Sequence, residues 1–116
     1  MDERDPNCLF CRIVDGEVPS ETVLMDERVL VFRDINPRAP THVLAVPKRH
    51  VASAAELGDD DGDLLAALFS ALRRVAEQEG LRGYRIVTNV GPEAGQSVFH
   101  LHFHLLGGRS LTWPPG

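Results

Sequence analysis

Three of the five histidines occupy alternate positions in the apolar run HLHFHLL, residues 100–106. In a β-strand, successive side chains point to opposite faces and each residue advances about 3.3 Å, so His100, His102 and His104 would share one face at intervals of about 7 Å. Imidazole titrates near neutral pH, which suits it to proton transfer, nucleophilic attack and metal binding. The opposite face would pack on the core through the apolar residues of this segment: Phe99, Leu101, Phe103 and Leu105. The pattern therefore predicts a functional site on one face of a strand.

A single metal ion cannot bind all three histidines of a straight strand. His100 and His104 would lie about 13 Å apart, whereas zinc needs each nitrogen at about 2 Å. At most two neighbouring histidines share an ion, so the row must divide chemistry from metal binding. The row could also consist of ordinary surface or core histidines, but three imidazoles at a strict period of two favour a site.

The loop GPEAGQS, residues 91–97, directly precedes the histidine row. Gly91 and Gly95 would let backbone N–H groups approach a phosphate closely, and Ser97 adds a hydroxyl. A neutral imidazole is a nucleophile toward phosphorus, and a second imidazole can stabilise charge on the nonbridging oxygens. Loop and row together indicate chemistry on a phosphate group.

Cys8 and Cys11 form a second candidate site, the C-x-x-C motif CLFC. The acidic and polar start MDERDPN lacks the basic and apolar regions of a secretory signal, so we expect a cytoplasmic protein. Cysteines stay reduced in that compartment, and the motif would be half of a metal site or a redox pair. The two cysteines could also be small buried hydrophobic residues.

Length and composition restrict the class of protein further. The chain has 116 residues, 43% of them hydrophobic and 25% charged, which predicts one soluble domain over residues 1–116. No apolar run approaches the roughly 18 to 20 residues that a membrane helix needs. The formal net charge is −5 and the basic residues are scattered apart from PKRH, which argues against polynucleotide binding.

The N-terminal element that must position the cysteines is a short helix, predicted over residues 8–16. Its apolar spacing at Leu9, Ile13 and Val14 is helical, and Gly16 provides a stop. Residues 1–6 are expected to form a flexible tail, and residues 111–116 a C-terminal tail.

The remaining elements predict an α+β fold. A long helix is expected in DDDGDLLAALFSALRRVAEQEG, which is acidic at its N-terminal end and stops at Gly80. Its apolar stripe consists of Leu64, Leu65, Leu68, Leu72 and Val75. Strands are expected as a hairpin in ETVLMDERVLVFRD and as single strands in VLAVPK, YRIVTNV and SVFHLHFHLLG. The order favours a mainly antiparallel five-stranded sheet with one long and one short helix.

The segment GQSVFHLHFHLLGGR resembles the histidine-triad signature, His-φ-His-φ-His-φ-φ with φ apolar, and DINPRAPTHVLAVPKRH resembles the upstream segment of the same superfamily. The ending WPPG resembles the C-terminus of the Hint branch, the histidine triad nucleotide-binding proteins. The similarity extends from CLFCRIV to the final glycine, and it implies the HIT-like fold.

The resemblance implies a hydrolase of purine nucleoside phosphoramidates or aminoacyl-adenylates. Such an enzyme acts on AMP- or GMP-type derivatives through a covalent nucleotidyl-histidine and needs no catalytic cofactor. His102, the middle histidine, would be the nucleophile, and a hydrogen bond from its other nitrogen to a backbone carbonyl would fix its tautomer. His104 would hold a nonbridging oxygen and Ser97 would lie near the leaving group. His42, in PTH, corresponds to a fourth active-site histidine.

The resemblance also implies a set of nucleotide-binding residues: Asp34, Ile35, Asn89, Gly95, Gln96, Ser97, His102 and His104. The Asp34 carboxylate would accept hydrogen bonds from the ribose hydroxyls, although it could instead only cap its loop. Ile35 would line the base pocket. Asn89 and the backbone of residues 95–97 would cradle the phosphate.

Many bacterial proteins that this chain resembles hold a structural zinc, and the resemblance implies the ligands Cys8, Cys11, His50 and His100. His50 and His100 are also the two histidines left once the active-site histidines are assigned. Such a zinc would tie the N-terminal helix to the sheet. In related proteins Trp113 reaches toward the partner subunit's site, which implies a homodimer. The same ending could instead be a mobile tail.

Three other functions remain open from the sequence. The chain could be a dinucleoside polyphosphate hydrolase of the same superfamily, although the WPPG ending weighs against this. It could be a nucleotide-binding scaffold or regulatory module whose activity is incidental. It could also be a metalloenzyme in which two triad histidines hold a catalytic ion.

Overall fold

The computed structural model describes residues 4–116. Five strands are present in this range: β1 Thr22–Met25, β2 Val29–Arg33, β3 Thr41–Pro47, β4 Tyr84–Val87 and β5 Phe103–Gly107. The two α-helices are α1 Leu9–Val14 and α2 Gly62–Gln78, and three short 3₁₀ turns lie at Ala54–Glu56, Asp59–Asp61 and Pro92–Ala94. The α+β prediction with one short and one long helix is confirmed. Within residues 4–116, no helix is both long and apolar enough to cross a bilayer.

The strands form one antiparallel sheet in the order β1-β2-β3-β5-β4. The predicted hairpin between β1 and β2 is confirmed, and its turn is held by the Asp26 carboxylate, which accepts from the backbone N–H groups of Arg28 and Val29, both at 2.8 Å. An Asp side chain that bonds its own backbone two residues on is a common turn former. The pairing of β3 with β5 is central, because it places the PTH segment beside the histidine row.

The sheet is covered on both faces, one by α2 and the other by α1. Val29 and Val31 of β2 belong to the cluster under α2, whereas Leu30 and Phe32 belong to the cluster under α1. A strand buried on both faces reads as a continuous apolar run, and this explains VLVF in β2. The histidine row lies on the α1 face, because its alternating apolar residues point toward α2.

The long helix packs with the stripe predicted from its sequence. Leu68, Leu72 and Val75 have no exposed surface and Leu64 is buried, while Leu65 is only partly buried. The helix ends just before Gly80, whose φ of +67° is a conformation that favours glycine. The helix therefore supplies a large share of the core on this face of the sheet.

The segment around the histidine row differs from the predicted continuous strand. Only residues 103–107 join the ladder, and Phe99, predicted to face the core, is 50% exposed. The reason is the loop ahead of it: the Gln96 amide accepts from the backbone N–H of Gly91 and donates to the carbonyls of Ala52 and Val98. These bonds satisfy backbone groups that lie outside the sheet, and the chain joins the ladder only at Phe103.

The N-terminal helix is shorter than predicted and buries another face. Phe10 and Cys11 are buried, whereas Leu9 is 45% exposed. Of the predicted N-terminal tail, residues 1–3 lie outside the described range, and Arg4 donates to the Asp15 carboxylate at 3.0 Å. At the other end, the Arg85 guanidinium donates to the Thr112 carbonyl at 2.8 Å.

An ion pair ties the end of β2 to the end of α2. The Arg33 guanidinium donates to both Glu79 carboxylate oxygens, at 3.1 and 3.3 Å, and the Thr41 hydroxyl donates to the same carboxylate at 3.2 Å. These hydrogen bonds, first that from Arg33, lower the pKa of Glu79 below its ordinary value of 4.5. The bidentate geometry makes this pair stronger than a typical surface pair.

We predict that Glu79→Gln lowers the free energy of unfolding by about 1 kcal/mol at pH 7. Because the folded-state pKa of Glu79 is depressed, its contribution is complete above pH 4.5 and is lost as the pH falls through the lower folded value. Urea unfolding at pH 7 and pH 3 measures both. The matched control is Glu77→Gln, which removes an exposed pair with Arg73 and should have little effect. An equal effect of both substitutions at pH 7 would contradict this assignment.

Candidate active site and candidate metal centre

Two of the predicted active-site histidines, His42 and His104, meet across the β3–β5 pair. In the register of these strands Leu44 lies opposite His104, and His42 is two residues from Leu44 on the same face. The Nε2 atom of His42 is 2.9 Å from the Nδ1 atom of His104, which is a hydrogen bond. The ladder therefore joins two imidazoles that are 62 residues apart in the chain.

A backbone amide fixes which nitrogens of this pair carry protons. The N–H group of Arg38 donates to Nδ1 of His42 at 3.0 Å, so this nitrogen is an acceptor and the neutral ring carries its proton on Nε2. Nε2 of His42 then donates to Nδ1 of His104, which leaves the His104 proton on its own Nε2. His104 is thereby held as a hydrogen-bond donor at Nε2.

Burial keeps this pair of imidazoles neutral. Burial, followed by the charges of His102 and His42, lowers the pKa of His104 to about 4. Burial also lowers the pKa of His42, although the carboxylate of Asp34, with Oδ2 at 3.4 Å from Nε2, acts in the opposite direction. The two rings are uncharged at neutral pH and form a fixed donor chain.

His102 is oriented by its own neighbour in the chain. Its Nδ1 lies 2.7 Å from the carbonyl oxygen of His100, and since a carbonyl only accepts, this nitrogen carries the proton. The carbonyl of His102 accepts in turn from the Thr88 hydroxyl at 2.7 Å, and the Phe10 ring meets the imidazole edge-on with centroids 5.1 Å apart. The lone pair of the neutral ring is therefore on Nε2, as a nucleophile requires.

A cleft of about 280 Å³ opens beside these rings. Its lining includes five of the predicted site residues: Asp34, Ile35, Ser97, His102 and His104. Much of the remaining wall is apolar and comes from α1, β2, β3 and the segment before β5: Leu9, Phe10, Ile13, Phe32, Leu44 and Val98. No sequence signal marked these apolar residues, because their types do not differ from those of core residues.

Two of the predicted site residues that line the cleft, Ile35 and Asp34, differ in exposure and in hydrogen bonding. Ile35 is 90% exposed, so it presents an apolar surface to solvent. Asp34 caps its loop through Oδ1, which accepts from the N–H of Asn36 at 2.8 Å, while Oδ2 faces His42. The capping role considered from the sequence is present, and it occupies only one of the two carboxylate oxygens.

Three predicted phosphate-loop residues do not line the cleft. Gln96 is 4% exposed, and its side chain holds the loop together. Gly95 has a φ of +98°, and a Cβ there would lie 4.0 Å from the Asn89 amide nitrogen. These residues shape the loop that carries Ser97, which is exposed and does line the cleft.

The second cluster consists of Cys8, Cys11, His50 and His100, whose ligand atoms all lie within 4.8 Å of one another. The Nδ1 atom of His100 is 3.3 Å from the sulfur of Cys8 and 3.5 Å from that of Cys11, and Nδ1 of His50 is 3.4 Å from the sulfur of Cys11. Tetrahedral bonds of about 2.3 Å to sulfur and 2.05 Å to nitrogen give sulfur–nitrogen edges of about 3.5 Å. The donors already have the spacing of a tetrahedral metal site.

The protonation states of the cluster suit a metal as well. Nε2 of His100 donates to the Pro47 carbonyl at 2.8 Å, which leaves the lone pair on Nδ1 facing the sulfurs. Burial lowers the pKa of His100 to about 4, so its ring is neutral, and burial raises the pKa of the Cys11 thiol to about 11. A metal would have to displace the thiol protons on binding.

The trio of Asp34, His42 and His104 also has its donor atoms within 4.8 Å. Its two ring nitrogens are 2.9 Å apart, whereas nitrogens bound to one tetrahedral zinc lie about 3.3 Å apart. The backbone donor on His42 accounts for this arrangement as a hydrogen-bonded chain. The geometry therefore favours proton-ordered imidazoles over a catalytic ion.

Comparison with known proteins adds relatives of the same architecture. A curated relative from Zea mays, named 14 kDa zinc-binding protein, is 48% identical over 115 residues, which is 97% of this chain and 90% of that protein. A HIT family hydrolase from Legionella pneumophila has a TM-score of 0.93 and 52% identity, covering 95% of this chain and 100% of the other. A HIT family hydrolase from Clostridium thermocellum has a TM-score of 0.90 and 46% identity, covering 93% and 96%.

The family model described as HIT domain matches residues 15–111. This range includes every predicted catalytic residue, whereas Cys8 and Cys11 precede it. The resemblance that the histidine row indicated is thus confirmed at the level of the superfamily. With the fold, the paired imidazoles and these relatives in agreement, the chain belongs to the HIT domain family.

Proposed function

We propose that this chain is a nucleotide-binding hydrolase of the Hint branch that cleaves purine nucleoside phosphoramidates and aminoacyl-adenylates. The observation that carries the proposal is the hydrogen bond from Nδ1 of His102 to the His100 carbonyl, because in the neutral ring it puts the lone pair on Nε2, beside the cleft. The hydrolase names of the two structural relatives support the reaction class.

The reaction would proceed in two displacements. Nε2 of His102 attacks the α-phosphorus, the bond from phosphorus to the leaving group breaks, and a nucleotidyl-histidine forms. An amine leaving group would take one proton from solvent water, relayed by the Ser97 hydroxyl at the edge of the cleft, and the proton that the attacking water of the second step loses returns to solvent. The carboxylate of an aminoacyl-adenylate would leave without a proton. Water then attacks the same phosphorus, the phosphorus–His102 bond breaks, and a nucleoside monophosphate leaves the neutral ring.

His104 would stabilise the charge that develops on the phosphate. Its Nε2–H donor, fixed through His42 and the Arg38 amide, would bond a nonbridging oxygen without reorganisation during the reaction. His42 is then a positioning residue for His104. Asn89 and the backbone of residues 95–97 would complete the phosphate cradle at the edge of the cleft, where Ser97 is the member of this group that lines it.

The rest of the cleft fits a purine nucleoside of the AMP or GMP type. The apolar wall offers surface for a base, Ile35 would cover its exposed side, and the Oδ2 atom of Asp34 would accept from a ribose hydroxyl.

We also propose that the cysteine–histidine cluster holds a structural zinc and that the protein is a homodimer. The tetrahedral spacing of the donors and the zinc-binding relative support the metal. Reduced cysteines agree with the cytoplasmic location expected from the sequence. β4 is an edge strand, and the nearby ending carries Trp113, 78% exposed, so both offer surface to a second copy.

The first prediction of the proposed function concerns the nucleophile. Incubation with a labelled adenosine phosphoramidate followed by acid quench should trap nucleotide on wild-type protein, with mass spectrometry locating it on His102. His102→Asn keeps an N–H donor for the His100 carbonyl but has no nucleophilic nitrogen, so it should trap nothing and lose at least about 10³-fold in kcat. Label on another residue, or turnover that survives the substitution, would refute the proposal.

The second prediction concerns the neutral state of His104. Its pKa is lowered from 6.5 to about 4, so below pH 6.5 the unfolded chain binds a proton that the folded chain does not. This group therefore reduces stability progressively as the pH falls from 6.5 to 4. Urea unfolding across this range should show a smaller loss for His104→Gln than for wild type. An unchanged pH dependence would mean that His104 is not held neutral.

The third prediction concerns zinc. We expect one zinc per chain, and its removal by a chelator should lower Tm by about 10 °C, since saturation at 100 times Kd contributes about 2.7 kcal/mol. Cys11→Ala should lose the metal, whereas His102→Asn, next to the cluster in sequence, should retain it. A wild-type protein without zinc, or a Cys11→Ala variant with unchanged zinc content, would contradict the assignment.

A further inference from the structure

The short helix α1 belongs to both sites at once. Its N-cap residue Cys8 and its buried residue Cys11 supply half of the metal cluster. Leu9 and Phe10, which lie between the two cysteines in sequence, and Ile13, which follows them, line the cleft. A movement of this one element would therefore change both sites.

Contacts with the rest of the molecule fix the first turn of α1. Six residues are far fewer than an isolated helix needs for stability in water, so the position of α1 depends on tertiary contacts. The sulfur of Cys8 accepts from the backbone N–H of Cys11 at 3.4 Å, which makes a metal ligand also the cap of the helix. The ion pair between Arg4 and Asp15 is partly exposed and contributes little by comparison.

Phe10 connects the two sites through ring contacts. Its side chain is 5% exposed and meets His100 of the metal cluster at 6.0 Å and His102 at 5.1 Å between ring centroids. It also meets Phe32, another cleft residue, at 5.5 Å. Because Phe10 stands between the two cysteines in sequence, a shift of either ligand moves this ring against the cleft wall.

The nucleophile has a second link to the cluster, but a more protected one. The ring of His100 faces the sulfurs, while its backbone carbonyl accepts from His102. The Pro47 carbonyl holds that ring independently of a metal. Loss of the metal would therefore change the tautomer of His102 less than it would change the position of the cleft wall that α1 provides.

We propose that metal binding at the cysteine–histidine cluster and nucleotide binding in the cleft are thermodynamically coupled through α1, with Phe10 as the positioning residue. This inference rests on the proposed nucleotide-binding function. A metal-loaded chain binds nucleotide more tightly because the cleft wall is already ordered, and by reciprocity bound nucleotide tightens metal retention by the same factor.

The test compares AMP affinity of the zinc-loaded and metal-free protein by titration calorimetry. We expect Kd to rise about 5-fold or more on metal removal, the lower end of ordinary coupling. Zinc affinity is measured in parallel by competition with a coloured chelator, with and without saturating AMP, and should rise by the same factor. Circular dichroism checks that the metal-free chain is folded.

Phe10→Leu keeps an apolar side chain but removes the ring contacts. Its ratio of AMP affinities between the two metal states should fall toward one, whereas Met25→Leu, an exposed site at the end of β1, should keep the wild-type ratio. A purely structural role of Phe10 would weaken AMP binding equally in both metal states and leave the ratio unchanged. That result would overturn its assignment as the positioning residue.

Equal AMP affinity of the two metal states would overturn the coupling and leave the proposed hydrolase intact. Absence of AMP binding in both states would instead overturn the proposed function. If the metal-free chain unfolds, the comparison is made between zinc- and cadmium-loaded protein, whose metal–sulfur bonds differ in length. Unequal AMP affinity in that comparison supports the coupling, and equal affinity overturns it.

Discussion

The hydrogen bond from Nδ1 of His102 to the carbonyl oxygen of His100, 2.7 Å long, decides where the lone pair of the central imidazole points. Residues 100–102 precede the ladder of β5, so the paired residues of that ladder do not include His100. The chain enters the sheet only at Phe103, after a loop that the Gln96 amide holds together.

Backbone groups also decide which nitrogen carries the proton in the other imidazoles. A backbone N–H at Arg38 sets the proton of His42 and through it that of His104, while the Pro47 carbonyl sets that of His100. Backbone groups have fixed donor or acceptor character, so they impose one tautomer on a neutral ring, which a titratable partner would not do. Burial keeps the rings of His100 and His104 neutral, since it lowers the pKa of each to about 4.

The two faces of the sheet have different roles, because one packs the main core and the other holds the candidate sites. The α2 face is an apolar core, and the α1 face carries the histidines, the cysteine–histidine cluster and the cleft. α1 is too short to form a stable layer by itself, so it is held by the groups it delivers to those sites. This shared dependence is the physical basis of the coupling that we propose between metal binding and nucleotide binding.

The sequence by itself determined the element types, the α2 stripe and the face on which the histidines lie, because periods of 3.6 and 2 translate directly into direction. Its residue types also identified the family. Tertiary structure alone decided which histidine met which partner, since the contacts join residues up to 92 positions apart through strand register and loop geometry. It also decided that Phe99 is exposed, that α1 buries Phe10 instead of Leu9, and that Gln96 shapes the loop without lining the cleft. Periodicity gives the direction of a side chain, but the backbone atoms that complete a site come from distant segments with no pattern of their own.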